Sequence, residues 1–468
     1  MKYISTRGQS APVDFRTATL TGLAPDGGLY MPEAWPHITP QQMATLKQGG
    51  YTDCARAMLA PYVGDTMSGD ELGALIKDAY ASFDADAAGE IIPVRALGDP
   101  SDQTYLMELF HGPTLAFKDV AMQFIGCLFD RFVDGANPVT VIGATSGDTG
   151  AAAVHAFAGK PGVRIVMLHP KGRISAAQRR QMTTHLDDNV FNISVAGSFD
   201  DCQDMVKGMM NDAKLAADFA LTTVNSINWA RIAAQSVYYG YWSLKLDQGA
   251  GVDFVVPSGN FGNAFSAYVA RKMGFPVGRV TVATNSNDVL VRAFQDGIYA
   301  PGRATPTISP AMDISSASNF ERLLFELCGR DGDVLAGYMS ALKTTGQYQL
   351  GADMLASLSA DYTATRTDEA QTKTMMAKAM KDWGLVIDPH TAVGLWAARG
   401  GTKRTPHCPL VCLSTAHPAK FLDTVEGVLK TAQPLPAALE QVMKRPERAV
   451  DMPAALDQLK SYVRKHLG

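Results

Sequence analysis

From about Ile91 onward, short runs of apolar, β-branched residues alternate with Ala-rich amphipathic stretches, and turns rich in Gly, Ser or Asp separate them. PVTVIGA (138–144) predicts a strand, TSGDTG (145–150) a loop and AAAVHAFAG (151–159) a helix. The cycle repeats as the strand GVRIVMLH (162–169), the helix ISAAQRRQM (174–182), the strand NVFNISVA (189–196) and a helix through Met205. Asn228 to Leu246 reads as one long helix. DFVVP (253–257) is a strand feeding the helix NAFSAYVARKM (263–273), and RVTVAT (279–284) and PLVCLST (409–415) are further strands. Strands alternating with helices predict parallel βαβ units and an α/β class. The strands are apolar almost throughout, as sheets covered on both faces require.

The first ninety or so residues differ, reading as small helices with turns that include the dense cluster GLAPDGGLYMP (22–32). Near Gln433 the segment QPLP precedes charged, helix-prone residues, which predicts a helical appendage. No repeat of fixed period interrupts this order.

Composition narrows the function classes. A chain of 468 residues, 46% hydrophobic and 19% charged, is an ordinary globular protein of several structural units. Its formal net charge of -4 provides no general basic field for nucleic acid or anionic lipid. No apolar run approaches the roughly 20 residues that span a bilayer, and the start MKYISTRGQSAPVDF has no signal-peptide shape. The six cysteines are scattered without a CxxC pair, so reduced thiols in a cytoplasmic protein are expected and a metal site is not.

Three segments carry candidate chemistry. PSGNFGN (257–263) lies between a strand and a helix, where glycines admit close backbone approach and the first helical N–H groups point at an anion. It has neither the Gly-Lys-Ser/Thr of a Walker loop nor the GxGxxG of a dinucleotide site. TSGDTG also sits at a strand end, with hydroxyls and N–H groups suited to a carboxylate or phosphate; Asp148 would repel an anion there and is expected to face a hydroxyl or cap the helix. In ELFHGPTLAFKD (108–119), Lys118 follows an apolar run at the head of the helical stretch DVAMQFIGCLF. A desolvated lysine gives up its proton more readily, and the neutral amine attacks aldehydes. The alternatives are a lysine paired with Asp119 and, for His111, a structural histidine.

Taken together, GLAPDGGLYMPE (22–33), ELFHGPTLAFKD, TSGDTG, NSINWARI (225–232), VPSGNFGN (256–263), MDISSASNFERL (312–323), DPHTAVG (388–394) and LSTAHPAKF (413–421) resemble the threonine synthases. The closest form is the long one with an extra N-terminal domain, within the fold-type II pyridoxal-phosphate enzymes. The resemblance implies two α/β subdomains with mainly parallel sheets, as in tryptophan synthase β. It divides the chain into an N-terminal domain (1–90), a catalytic region (91–432) with a smaller subdomain of about 120–235 inserted in the larger, and a C-terminal helical tail (433–468).

It also implies that Lys118 holds pyridoxal 5'-phosphate as a Schiff base and acts as the catalytic base. Gly259, Asn260, Phe261, Gly262 and Asn263 would cradle the cofactor phosphate, and Thr415 would bond the pyridine nitrogen. Thr145, Ser146, Gly147, Asp148 and Thr149 would hold the substrate carboxylate, and Asn225, Ser226 and Arg231 the substrate phosphate. The reaction implied is conversion of O-phospho-L-homoserine and water to L-threonine and phosphate, with no nucleic-acid or membrane partner, in a monomer or dimer. Two positions depart from the family pattern: Asp148 stands where many fold-type II enzymes have Asn, and Ala317 where Pro is commoner. Two other classes share parts of the pattern. A β-eliminating dehydratase needs no γ-phosphate site, so Asn225 and Arg231 discriminate against it. A phosphate-metabolite binder would leave Lys118 merely structural.

Overall fold

The computed structural model describes residues 1–400 and 404–467; Gly468, the last residue of the expected C-terminal segment, lies outside them. Two parallel sheets organise the chain. The larger runs in the order Tyr362–Arg366, Val277–Thr284, Val252–Pro257, Leu410–Ser414, Thr104–Glu108 and Val94–Ala96, and only the last strand is antiparallel to its neighbour. The smaller runs Val450–Pro453, Val190–Ala196, Val163–Pro170, Val139–Ala144 and Leu221–Thr222, all parallel. Each strand read from the apolar runs is present within a residue or two of its expected bounds. Their central residues, such as Val255, Val282, Ile165 and Val411, are fully buried, because helices cover both faces.

Burial on all sides also explains the helix Lys118–Phe132. Its residues from Val120 to Gly126 are all buried, so the apolar run is continuous rather than a stripe. It lies against the helix Asp148–Phe157, whose small residues permit close approach. At the contact, a Cβ added to Gly126 would lie 2.5 Å from the Ala156 carbonyl oxygen. Gly126→Val is therefore expected to destabilise the protein by about 1–3 kcal/mol through overpacking, read as a lowered midpoint in thermal denaturation.

The first ninety residues form short helices and a two-stranded sheet of Tyr3–Ser5 with Tyr30–Pro32. They dock onto the long helix Trp229–Leu246 through an aromatic cluster. The Tyr62 and Tyr3 rings lie 5.4 and 6.1 Å from that of Trp229, and the Tyr3 hydroxyl donates to the Tyr62 carbonyl at 2.7 Å. The segment after Gln433 is helical at Ala437–Val442 and Leu456–Leu467, as expected, and it also contributes the strand Val450–Pro453 to the edge of the smaller sheet. That strand is short and mostly exposed, so it carries no apolar run to announce it. No helix among the described residues is long and apolar enough to cross a membrane.

Candidate active site

A cleft of about 640 Å³ opens where the carboxyl ends of strands from both sheets face each other. Chain reversals at the ends of parallel strands converge on such a crevice, which is why ligand sites recur there. Strand Val252–Pro257 delivers Ser258 to Asn263, strand Leu410–Ser414 delivers Thr415, and strand Val139–Ala144 delivers Thr145 to Thr149. Of the residues expected from sequence, Lys118, Thr145, Ser146, Thr149, Asn225, Ser226, Arg231, Gly259, Asn260, Phe261, Gly262, Asn263 and Thr415 all line the cleft. Gly147 and Asp148 lie behind it.

The 257–263 loop has the form of an anion cradle. Phe261 sits at φ 64° and turns the chain into the helix Gly262–Lys272, whose N-terminus has no side-chain cap. Its first-turn N–H groups are thus left for a ligand. A Cβ on Gly259 would come within 3.1 Å of the Met312 Cα, so the turn accepts only glycine without a shift. Asn263 Oδ1 accepts from the Tyr239 hydroxyl at 2.8 Å, while its buried Nδ2 has no partner among the described residues. The opposite wall is braced from below. His390 Nε2 accepts from the Ala311 N–H at 3.1 Å while its Nδ1 meets Asp388 Oδ2 at 2.7 Å, and Thr391 Oγ1 is 2.8 Å from Ser414 Oγ.

Thr145 orders the second loop by accepting from Gly147 N at 2.9 Å and Gly150 N at 2.8 Å through its hydroxyl. The helix Asp148–Phe157 is preceded by Gly147 at φ 135°, without a side-chain cap. Asp148 therefore neither caps the helix nor faces a hydroxyl, contrary to the expectation from sequence. Its Oδ2 lies 3.2 Å from Lys118 Nζ, and its Oδ1 lies 3.1 Å from Lys420 Nζ and 2.8 Å from Gln178 Nε2. Burial opposes its charge, yet the two ammoniums hold its carboxyl well below the usual carboxylate range. The reason is direct: a buried carboxylate is stable only with compensating charge, and two lysines supply it.

Lys118 begins its helix after Leu115 has turned the chain at φ 62°. Burial, then the charges of Lys420 and Arg231, push its ammonium below the usual lysine range against the pull of Asp148. The alternative pairing with Asp119 is absent, because that carboxylate takes the Thr114 N–H at 2.8 Å and the Thr114 hydroxyl at 2.6 Å. His111 pairs instead with Glu108 at 2.9 Å.

Arg231 is 3% exposed and pushed down to about 10 by burial. Its Nε has no partner among the described residues, and its Nη1 reaches only the Val224 carbonyl at 3.4 Å. A buried guanidinium without a carboxylate is a site for an anionic ligand. Asn225 and Ser226 line the same wall, joined from the N-terminal domain by Arg7, Leu23, Gly27 and Leu29. Arg7 is held there by Glu321 at 3.1 Å.

Sequence reasoning assigned no role to Lys420, Gln178, His390 or Arg7. Lys420 lay in the quoted segment LSTAHPAKF and, like Lys118, among apolar residues, which was its only signal. Ala317, where Pro is commoner, donates its N–H to the Tyr299 hydroxyl at 2.8 Å, a bond that proline lacks.

Comparison with known proteins converges on one description. A family model described as "Threonine synthase N terminus" matches residues 2–80, "Pyridoxal-phosphate dependent enzyme" matches 90–345, and "Threonine synthase, C-terminal" matches 391–463. The chain is 41% identical to the threonine synthase of Pseudomonas aeruginosa, over 100% of this chain and 98% of that protein. It is 40% identical to that of Saccharomyces cerevisiae, over 91% of this chain and 89% of that protein. A pyridoxal-phosphate-bound threonine synthase from Brucella melitensis superposes with a TM-score of 0.94 at 41% identity, covering 100% of this chain and 99% of that one. The yeast structure gives 0.93 at 36% identity, covering 100% and 98%.

Proposed function

The chain belongs to the threonine synthase family, and from that premise we propose which of its residues carry the reaction. It is a pyridoxal-phosphate enzyme that converts O-phospho-L-homoserine and water to L-threonine and phosphate. The residues present fit that cofactor. The uncapped helix N-terminus at Gly262, the unpartnered Nδ2 of Asn263 and the closely packed Gly259 suit its phosphate. Lys118 is the amine for its aldehyde carbon, and Thr415 the hydroxyl for its ring nitrogen. A hydroxyl at that point leaves the nitrogen largely unprotonated. When bound, the cofactor supplies an electron sink for the carbanions that form at Cα and, across the conjugated system, at Cβ.

The chain's own residues do the rest. Thr145, Ser146, Gly147, Asp148 and Thr149 form the substrate-carboxylate loop, with Ser146 and Thr149 reaching the cleft and the first N–H groups of the following helix outside its ladder. Lys118 takes the proton from Cα and then from Cβ, for which its lowered basicity is suited. Asn225, Ser226 and Arg231 hold the substrate phosphate and orient it as the leaving group. Leu23 and Leu29 of the N-terminal segment exclude bulk water from the mouth.

The observation that carries the assignment of roles is the pairing, in one cleft, of a base-competent Lys118 with a buried Arg231 that meets no carboxylate among the described residues. A dehydratase has no use for the second. Six free cysteines support a reducing, cytoplasmic setting. The test is stoichiometry. Purified protein given cofactor and O-phospho-L-homoserine should release phosphate and threonine in equal amounts. Phosphate accompanied by a keto acid in place of threonine would refute the proposed course.

A further inference from the structure

Behind the cleft, one carboxylate and two ammoniums share a buried cluster that the reaction does not by itself require. Asp148 is 4% exposed and Lys420 has no exposed surface. Lys420 Nζ donates to the Thr114 carbonyl at 2.6 Å as well as meeting Asp148 Oδ1 at 3.1 Å. Lys118 meets the other oxygen, Oδ2, and is the member of the cluster that lines the cleft. Two ammoniums on one carboxylate leave a surplus positive charge in an interior that penalises it. Loss of one proton removes the surplus. Lys420 donates to a carbonyl as well as to the carboxylate, whereas Lys118 donates to the carboxylate alone, so the proton that leaves is that of Lys118.

We propose that Lys420 is a positioning residue: by compensating Asp148 from behind, it makes Lys118 the lysine that stands in the cleft as a free amine. The proposal rests on Lys118 being the cofactor-bearing lysine. The attack it prepares joins Lys118 Nζ to the cofactor aldehyde carbon and expels one water, and only the unprotonated amine has the electron pair for it. Once Lys118 is engaged, Asp148 and Lys420 remain as a neutral pair, so no charge is stranded.

Arg231 and Asp119 also face the cluster. Arg231, from the helix Trp229–Leu246, adds positive field at Lys118. Asp119, on the helix of Lys118 itself, has its carboxyl raised by burial against the pull of Thr114, which engages both oxygens, and of the Lys420 charge.

The test follows growth of the visible Schiff-base band when the full chain, freed of cofactor, is mixed with pyridoxal 5'-phosphate across a pH series. Only the neutral amine reacts, so the rate rises with pH through the Lys118 midpoint. Lys420→Gln keeps a donor for Thr114 and Asp148 but removes the charge. It should move that midpoint up by about one unit, making attachment roughly tenfold slower at neutral pH. Lys420→Arg should restore the wild-type midpoint. Asp148→Asn removes the opposite charge and should move the midpoint down. An unmoved midpoint in folded Lys420→Gln overturns the proposal, as do shifts of the same sign in the Lys420→Gln and Asp148→Asn variants. If Lys420→Gln does not fold, an unmoved Asp148→Asn midpoint overturns it equally. A wild type that forms no band at any pH defeats the assignment of Lys118 and the proposal with it, whereas a normal wild-type band with an unmoved variant defeats the proposal alone.

Discussion

Lys118→Ala is expected to lower turnover of O-phospho-L-homoserine by at least about 10⁴-fold, because in the proposed reaction one side chain both holds the cofactor and moves the protons. The fold should survive the change. Removing Lys118 leaves Asp148 paired with Lys420 at 3.1 Å and Gln178 at 2.8 Å, so no buried charge is exposed without a partner. The thermal midpoint is accordingly expected to stay close to that of the wild type while phosphate release and threonine formation vanish together. Asp148→Ala provides the contrast. It leaves the buried Lys420 ammonium without its carboxylate, and a cost of about 3–5 kcal/mol in stability is expected. Activity lost with stability intact in the first variant, and stability lost in the second, separates the chemical role of Lys118 from the structural role of its counter-ion. Residual threonine formation above about one part in a hundred in Lys118→Ala would contradict the assignment of the base.

The second large effect is expected at Arg231. Truncating one partner of a buried, hydrogen-bonded charge pair costs about 3 kcal/mol, or roughly 10²-fold. Arg231→Gln should therefore lower kcat/KM for the phosphorylated substrate by about two orders of magnitude. Arg231→Lys should recover only part of it, since a single ammonium does not replace the planar fork on a phosphate. Competitive inhibition by inorganic phosphate should weaken in parallel. The cofactor band should still form, because the cradle proposed for the cofactor is the loop at Gly259 to Asn263 and the guanidinium acts on Lys118 only through its charge. Loss of the cofactor band in Arg231→Gln, with phosphate inhibition unchanged, would place Arg231 in the wrong subsite.

How much of this was legible in the sequence varies with how local each feature is. The apolar runs around Val139–Ala144, Val163–Pro170 and Val252–Pro257 announce their strands, because residues buried on both faces leave a continuous signal. The glycines of PSGNFGN and the position of Lys118 after an apolar run were equally local. By contrast, Val450–Pro453 and Tyr362–Arg366 are edge strands, one mostly exposed and the other bearing Thr and Arg, so their pairing partners lie far along the chain. Asp148 illustrates the same limit within the site. Helix-start chemistry suggested a cap, but its partners Lys118, Gln178 and Lys420 are 30 residues or more away in the chain and visible only in three dimensions. Lys420 was silent for that reason, since a buried lysine looks like any other until its carboxylate is found.

The central claim is that Lys118 bears the cofactor in the cleft between the two sheets. The most direct measurement is borohydride reduction of the cofactor-loaded full chain, followed by digestion and mass spectrometry. The account predicts a pyridoxyl adduct on the peptide that contains Lys118, with Lys420 unmodified. An adduct on Lys420 or on another lysine, with Lys118 recovered free, would contradict it.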